Sequence, residues 1–376
     1  MGKKYEWEVN VWNSAGTSSD PVTFQAINID YGRTQPTDDF SAGQITVSGI
    51  LPDSLPARFK EINSIVSCNL VRKSDDTIVN TFWVKTRALS RTYGTVANLD
   101  TWTWNGTGSI SLMTEQQLTA TYSTTAGWDT TRQAADLLDD YSITNVYSTG
   151  SSVVSGTTFE VGTYVSDIVQ RLIRTEQGRI IDVIVPILSP PSGAISTVWL
   201  ESRDGAVRDS VSAVFNDGTA TSSAIDLTYT SVEFLNTGEY LANTVIVEPE
   251  GLADQVSGST KPVLNFQTLD QTTAQAADLA GYIKNTLTSN TVRPLSVSML
   301  IDAQATEAFI TALWPGSQVQ VALRGTVYDC VVEGASIMGN ASYTTATLKL
   351  SSAEAYSFLR LDDVTFGTLD YNKLGF

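Results

Sequence analysis

The stretch Val165–Asp182, VSDIVQRLIRTEQGRIID, carries the clearest structural signal in the chain. Val165, Ile168, Val169, Leu172 and Ile173 recur at i, i+3, i+4, i+7 and i+8, the apolar stripe of a helix packed on a core. Ser166, Asp167, Gln170, Arg171 and Arg174 take the wet side. Thr163 is placed to cap the start, Asp167 suits the first turn, and Arg171 and Arg174 suit the C-terminal dipole. Gly178 supplies a left-handed residue to end the helix, and Arg179–Leu188 continues as a mostly apolar strand. Almost everything on either side reads as β, so this unit is expected to be a hinge piece between two β halves.

Upstream, Tyr5, Trp7, Val9 and Val11 alternate with polar residues, the pattern of a half-buried strand. Further strands are expected at Val22–Tyr31, Gln44–Ile50, Ile65–Val71 and Ile78–Leu89, and Trp102 and Trp104 continue the pattern. A helix is expected over Asp129–Tyr141, with Ala134, Leu137, Leu138 and Tyr141 as its stripe and Asp129 as its cap. Downstream, Thr197–Glu201 and Val207–Val211 read as a hairpin around Asp204-Gly205, followed by strands at Val232–Leu235 and Leu241–Val247. Thr272–Gln275 opens a capping-box helix with Ala276, Leu279, Ala280, Ile283 and Leu287 inward. Strands then follow at Leu295–Ile301, Val319–Leu323, Val327–Val332 and Thr344–Leu350.

Composition narrows the function. The 376 residues suffice for two or three domains with real cores. With 23 basic and 40 acidic residues the formal charge is −17, which argues against nucleic acid or an anionic membrane as a binding partner. Histidine is absent, which removes Ser-His-Asp and Cys-His nucleophile systems and His-ligated zinc. Cys68 and Cys330 lie far apart in apolar runs and read as two buried thiols. No cofactor or metal is expected. The N-terminal MGKKYEWEVN has no apolar core of a secretory signal, and no apolar run is long enough to span a bilayer, so synthesis in a cytoplasm is expected.

Two segments share a pattern. Val66, Cys68 and Leu70 alternate inward before Thr81–Leu89 runs back; Val319, Val321 and Leu323 alternate inward before Asp329–Ile337 runs back. Phe82/Cys330, Trp83/Val331, Val84/Val332 and Leu89/Ile337 then match without a gap. All β-hairpins alternate, so the match is either coincidence or two copies of one β-barrel unit. In a trimer, two copies per chain would give a six-fold-like ring.

An ordered set of landmarks adds a family resemblance. They are Tyr31-Gly-Arg33 with Asp38-Asp-Phe-Ser-Ala-Gly43, Glu176-Gln-Gly178, Val214-Phe-Asn-Asp-Gly218, Val232-Glu-Phe-Leu235 and Asn243-Thr-Val-Ile-Val247. They continue with Ala274–Leu287 before Arg293-Pro294, Trp314-Pro-Gly316, and Leu361-Asp-Asp363, Phe366-Gly367, Leu369-Asp370 and Leu374-Gly-Phe376. Together they make the chain resemble the minor tail proteins that form the tail-tip (baseplate) hub of long-tailed, siphovirus-type bacteriophages. Segment Ile184–Ser196 departs from that family, with prolines where a polar hairpin is expected. The resemblance implies a homotrimeric structural protein of the virion, with two tail-tube-type β-barrels and helical insertions. It implies a hub that adapts a hexameric tail tube to a threefold tip and surrounds the DNA exit channel. Its implied partners are itself, tail-tube or distal tail proteins, a tape-measure protein and other tip or fibre proteins, with DNA passing through unbound.

The expected fold is therefore mainly β with α+β decorations. The expected division is a barrel domain over 1–125, an α/β middle region over 126–260, a helix with the second barrel over 261–350, and a docking tail over 351–376. The tail is acidic and dotted with apolar residues, and Leu361, Asp362, Asp363, Phe366, Leu369, Leu374 and Phe376 are its candidate subunit contacts. Three other readings compete. Trp102 and Trp104, at i and i+2 on one strand face, could stack on sugar in a carbohydrate- or receptor-binding module. Asp38/Asp39, Asp139/Asp140 and Asp362/Asp363 are the acidic pairs of a hypothetical hydrolase, but adjacent residues diverge on strand or helix. Asn216-Asp217-Gly218 suits a calcium loop or, equally, a plain turn.

Overall fold

The computed structural model describes residues 3–13, 16–34, 38–62, 64–96, 100–150, 152–182, 198–202, 211–218, 226–235, 242–287 and 293–353. The first β unit comprises β1 (Tyr5–Trp12), β2 (Ser19–Val22), β3 (Ala26–Gly32), β4 (Ser41–Ile50), β5 (Ile65–Arg72), β6 (Thr77–Thr92) and β7 (Thr101–Thr107). An α/β insertion follows: α1 (Ile110–Glu115), β8 (Tyr122–Ser123), α2 (Thr130–Asp140), β9 (Asn145–Tyr147), β10 (Thr158–Phe159), α3 (Val165–Glu176), β11 (Arg179–Ile181) and β12 (Val198–Glu201). The second β unit runs β13 (Val211–Asn216), β14 (Asp226–Thr228) and β15 (Ser231–Leu235). It is interrupted by β16 (Thr244–Pro249), β17 (Gln255–Gly258), β18 (Val263–Thr268) and α4 (Thr273–Leu287). It then resumes with β19 (Arg293–Leu300), α5 (Phe309–Ala312), β20 (Gln318–Leu323), β21 (Thr326–Asn340) and β22 (Thr344–Ser352).

The two β units are copies of one arrangement. In the first, β3–β4–β7–β6–β5 are neighbours in that order; in the second, β15–β19–β22–β21–β20 are, and every pairing is antiparallel. Both long strands carry a bulge at the same place. Arg87 is skipped in the β6–β7 ladder and Glu333 in the β21–β22 ladder. Two residues earlier, Lys85 faces the first residue of β5 and Val331 the first residue of β20. Even the bulge contact recurs, since Arg87 Nε donates to Thr107 Oγ1 at 2.9 Å and Ser351 Oγ donates to Glu333 at 2.6 Å. The repeat is therefore real, but Val84, not Phe82, takes the place of Cys330. The gapless match was two residues out of step, an error that alternation hides because a shift of two keeps every side chain on its face. The copies also diverge at their edge: β1 is antiparallel to β5, whereas β13 is parallel to β20.

Two separate closed barrels do not form among the described residues. β21 is 15 residues long, and β22 covers one edge of it. Its other edge pairs β20 with the first half and β3 of the opposite unit with the second. The units merge into one 14-stranded sheet as a result. At this seam Gly32 and Gly334 lie so close that a Cβ on either would sit 2.3 Å from a backbone oxygen of the other strand. One apolar core runs through both units, from Val9 and Phe82 to Val321 and Leu348. A second core joins α1, α2 and α3 to β11 and β12, and a third places α4 on β16 and β18.

The helix caps resolved as the spacing required, but the strand expected over Val22–Tyr31 is broken into β2 and β3, and two assignments at the ends of α3 change. Asp129 Oδ1 accepts the Arg132 amide at 2.8 Å and Thr272 Oγ1 the Gln275 amide at 3.2 Å, so both caps form. Thr163 does not cap α3; Tyr164 occupies that position and its side chain makes no capping bond. The left-handed residue after α3 is Gln177, at φ 56°, not Gly178. Gly178 is required for space instead, because a Cβ there would meet the Glu201 carbonyl oxygen at 2.1 Å. Cys68 and Cys330 are free buried thiols, and burial raises both, Cys330 to about 12. The turn at Asp204-Gly205 and the segment Ile184–Ser196 lie outside the described residues, but both edges of β12 are taken by β11 and β9, so Val198–Glu201 is not an arm of the expected hairpin.

Candidate functional site at the junction of the repeats

The bulge in β21 turns Glu333 into the interior, where burial of a carboxylate is costly unless it is paired. Arg33, just past the end of β3, donates its Nε to Glu333 Oε2 at 2.8 Å. Arg179, the first residue of β11, approaches Glu333 Oε1 at 3.1 Å, and the Ser351 hydroxyl donates to the same oxygen. The Arg33 guanidinium also lies over the Phe40 ring at 4.4 Å. Three residues along, the buried Asp182 carboxylate accepts the Ile110 amide at 3.1 Å and the Gly43 amide at 3.3 Å. Burial pushes Asp182 up to about 6, against those backbone donors, which pull it down. Two buried anchors, one at the start of β11 and one just past its end, thus tie the α/β insertion to both β units. The stretch expected to be a hinge piece between two β halves is tied to both by buried polar contacts.

This site holds parts of the fold together. Arg33 and Arg179 neutralise Glu333, and the Asp182 carboxylate is held by two backbone amides rather than facing a cleft. A groove of about 670 Å³ is lined by Lys3, Lys4, Arg72, Lys73 and Glu307. Its cations are largely occupied: Arg72 grips Glu307 with two bonds of 2.6 and 2.8 Å, and Lys4 donates to the Gln304 carbonyl oxygen at 2.6 Å. Of the acidic pairs, Asp39 binds Arg174, Asp139 accepts from Asn145 at 2.8 Å, and Asp362/Asp363 lie outside the described residues.

The sugar-stacking candidates are core residues. Trp104 is fully buried with Phe59 stacked on it at 5.0 Å, and Trp102 meets Phe59 edge-on at 5.7 Å. Asn216-Asp217-Gly218 is a turn, closed by the Gly218 amide on Asn216 Oδ1 and by the Arg324 amide on Asp217 at 2.7 Å. The tail contacts Leu361, Asp362, Asp363, Phe366, Leu369, Leu374 and Phe376 all fall outside the described residues. Sequence reasoning missed the Arg33–Glu333–Arg179 cluster. Its sequence traces were the charged Glu333 and Arg179, each set against apolar residues.

No family model and no curated protein matches the chain. Solved structures do match along nearly its whole length. A tail protein from Neisseria meningitidis MC58 superposes with a TM-score of 0.63 at 12% identity, over 95% of this chain and 98% of the other. A 43 kDa tail protein of prophage MuSo2 from Shewanella oneidensis gives 0.57 at 10% identity, over 93% and 99%. An E. coli component of the type VI secretion system, described as structurally similar to T4 bacteriophage tail proteins gp27 and gp5, gives 0.51 at 7% identity over 92% and 76%. The chain has the fold of phage tail proteins.

Proposed function

We propose that this chain is a structural hub protein of a phage tail tip. It assembles as a homotrimer, adapts a hexameric tail tube to a threefold tip, and surrounds the channel through which DNA leaves. The observation that carries this reading is the pair of equivalent five-strand units in one chain. Three such chains present six equivalent units around an axis, which is what a six-to-three adaptor needs. The insertions break the equivalence on the other side, where threefold partners would dock. The neighbours it would meet are tail-tube or distal tail proteins, a tape-measure protein and other tip or fibre proteins, all within the virion. The charge of −17 suits a channel wall that repels DNA phosphates. A sugar-binding role loses its support with the burial of Trp102 and Trp104. Symmetry-averaged electron microscopy of intact tail tips tests the proposal. A threefold ring with both β units facing one channel is expected; a peripheral position away from the axis would overturn it.

A further inference from the structure

The intrachain seam is a template for a contact the single chain leaves unmade. β3 of the first unit pairs with the far half of β21 in the second, from Ala26↔Asn340 to Gly32↔Gly334. The equivalents of these strands are β15 and the far half of β6. Among the described residues β15 pairs only β19, and the corresponding edge of β6 beyond Thr86 has no strand beside it. Ser90, Arg91, Thr92, Tyr93 and Gly94 are all exposed, whereas Ile337 and Gly339, in the places of Arg91 and Tyr93, are buried.

We infer that β15 of one copy adds to the free edge of β6 in a second copy, antiparallel, in the register the seam dictates. The β15 residues Glu233 and Phe234 then face Thr92 and Arg91 of the neighbour, and Ser231 and Val232 face Gly94 and Tyr93 just past the end of its β6. Each contact joins two different edges, so it is heterologous and propagates until the ring closes. The inference rests on the ring assembly proposed above and names its interface. Three further observations fit it. Unprotected edges invite pairing with another chain. Tyr93 and Val96, past the end of β6, are 61% and 58% exposed, and Ile50, two strands over and 41% exposed, shares one cross-strand row with Thr101 and Thr92. On the facing strand Val232 and Phe234 are half-buried, and Phe234 meets Tyr328 edge-on at 5.2 Å, so an apolar surface is already held in place.

The test uses full-length chains carrying Glu233→Cys alone and Thr92→Cys alone, mixed with a short thiol-to-thiol cross-linker; Cys68 and Cys330 are buried. Directly opposed Cβ atoms lie about 4.5–5.5 Å apart. A cross-linked pair is expected in the mixture and in neither single sample, with at least a tenfold lower yield from Glu233→Cys with Arg91→Cys, which points to the other face. Thr92→Glu places a carboxylate opposite Glu233 and is expected to weaken assembly at least tenfold, with Glu233→Lys restoring it. Equal yields from both cysteine pairs, or a trimer that survives Thr92→Glu without cross-linking, would overturn the strand pairing and leave the trimer standing. A chain that stays monomeric and uncross-linked at every concentration would overturn both.

Discussion

Arg179 and Glu333 stand 154 residues apart in the chain and 3.1 Å apart in the fold, with neither side chain reaching solvent. One belongs to the strand that follows α3 and the other to the bulge of β21, so the pair fixes the α/β insertion against the double sheet. Replacing Glu333 removes the carboxylate that both Arg33 and Arg179 reach inside the protein. Glu333→Gln is therefore expected to cost about 3–5 kcal/mol. Arg58→Ala breaks the exposed contact with Asp20 and is expected to cost less than about 1 kcal/mol. Denaturant midpoints of the two variants check this, and equal midpoints would contradict a structural role for the cluster.

Asp182 gives the fold a pH dependence of unusual sign. Its folded pKa, about 6, lies above the ordinary 3.8, so between those values the folded state holds more protons than the unfolded one. Stability from this group is present at low pH and falls as pH rises through 6, opposite to a salt-bridged carboxylate. Asp182→Asn is expected to flatten the stability profile between pH 4 and 6. An unchanged slope over that window would show that another group sets it.

Gly178 tests the close passage of β11 beside β12. Ala at this position drives a Cβ into the Glu201 carbonyl oxygen, and the strand must shift to make room. Gly178→Ala is expected to destabilise by about 1–3 kcal/mol, the range for overpacked sites. Gly127→Ala is the comparison: its φ is 82°, but the space around it is open. A thermal melt separates steric crowding from backbone strain, since crowding affects only the first.

Trp104 distinguishes a core aromatic from a binding one. Its indole donates to Thr86 Oγ1 at 3.1 Å beneath the stacked Phe59 ring. Trp104→Ala is expected to cost about 3–5 kcal/mol. A variant with wild-type stability and lost glycan binding would restore the carbohydrate-binding reading.

We propose the C-terminal tail as a docking element of the hub. Deleting Leu361–Phe376 is expected to leave the melting temperature within a few degrees and to reduce particle yield and tail attachment. Unchanged yield would remove Phe366, Leu369, Leu374 and Phe376 from the list of subunit contacts.

The sequence by itself determined what is set within a few residues. The α3 stripe, the Asp129 and Thr272 caps and the inward alternation of Val66, Cys68, Val319 and Val321 all depend on periodicity or on hydrogen bonds that span three or four positions. Alternation raised the possibility that one hairpin occurs twice, but could neither tell it from coincidence nor fix the phase, because all hairpins alternate and a shift of two residues preserves every face. Only the tertiary structure decided the bulges at Arg87 and Glu333, the pairing of β3 with β21 that fuses two units into one sheet, and the meeting of Arg33, Arg179 and Glu333. These depend on strand edges and buried charges brought together from more than a hundred residues away, and no local pattern encodes which edge a strand will find.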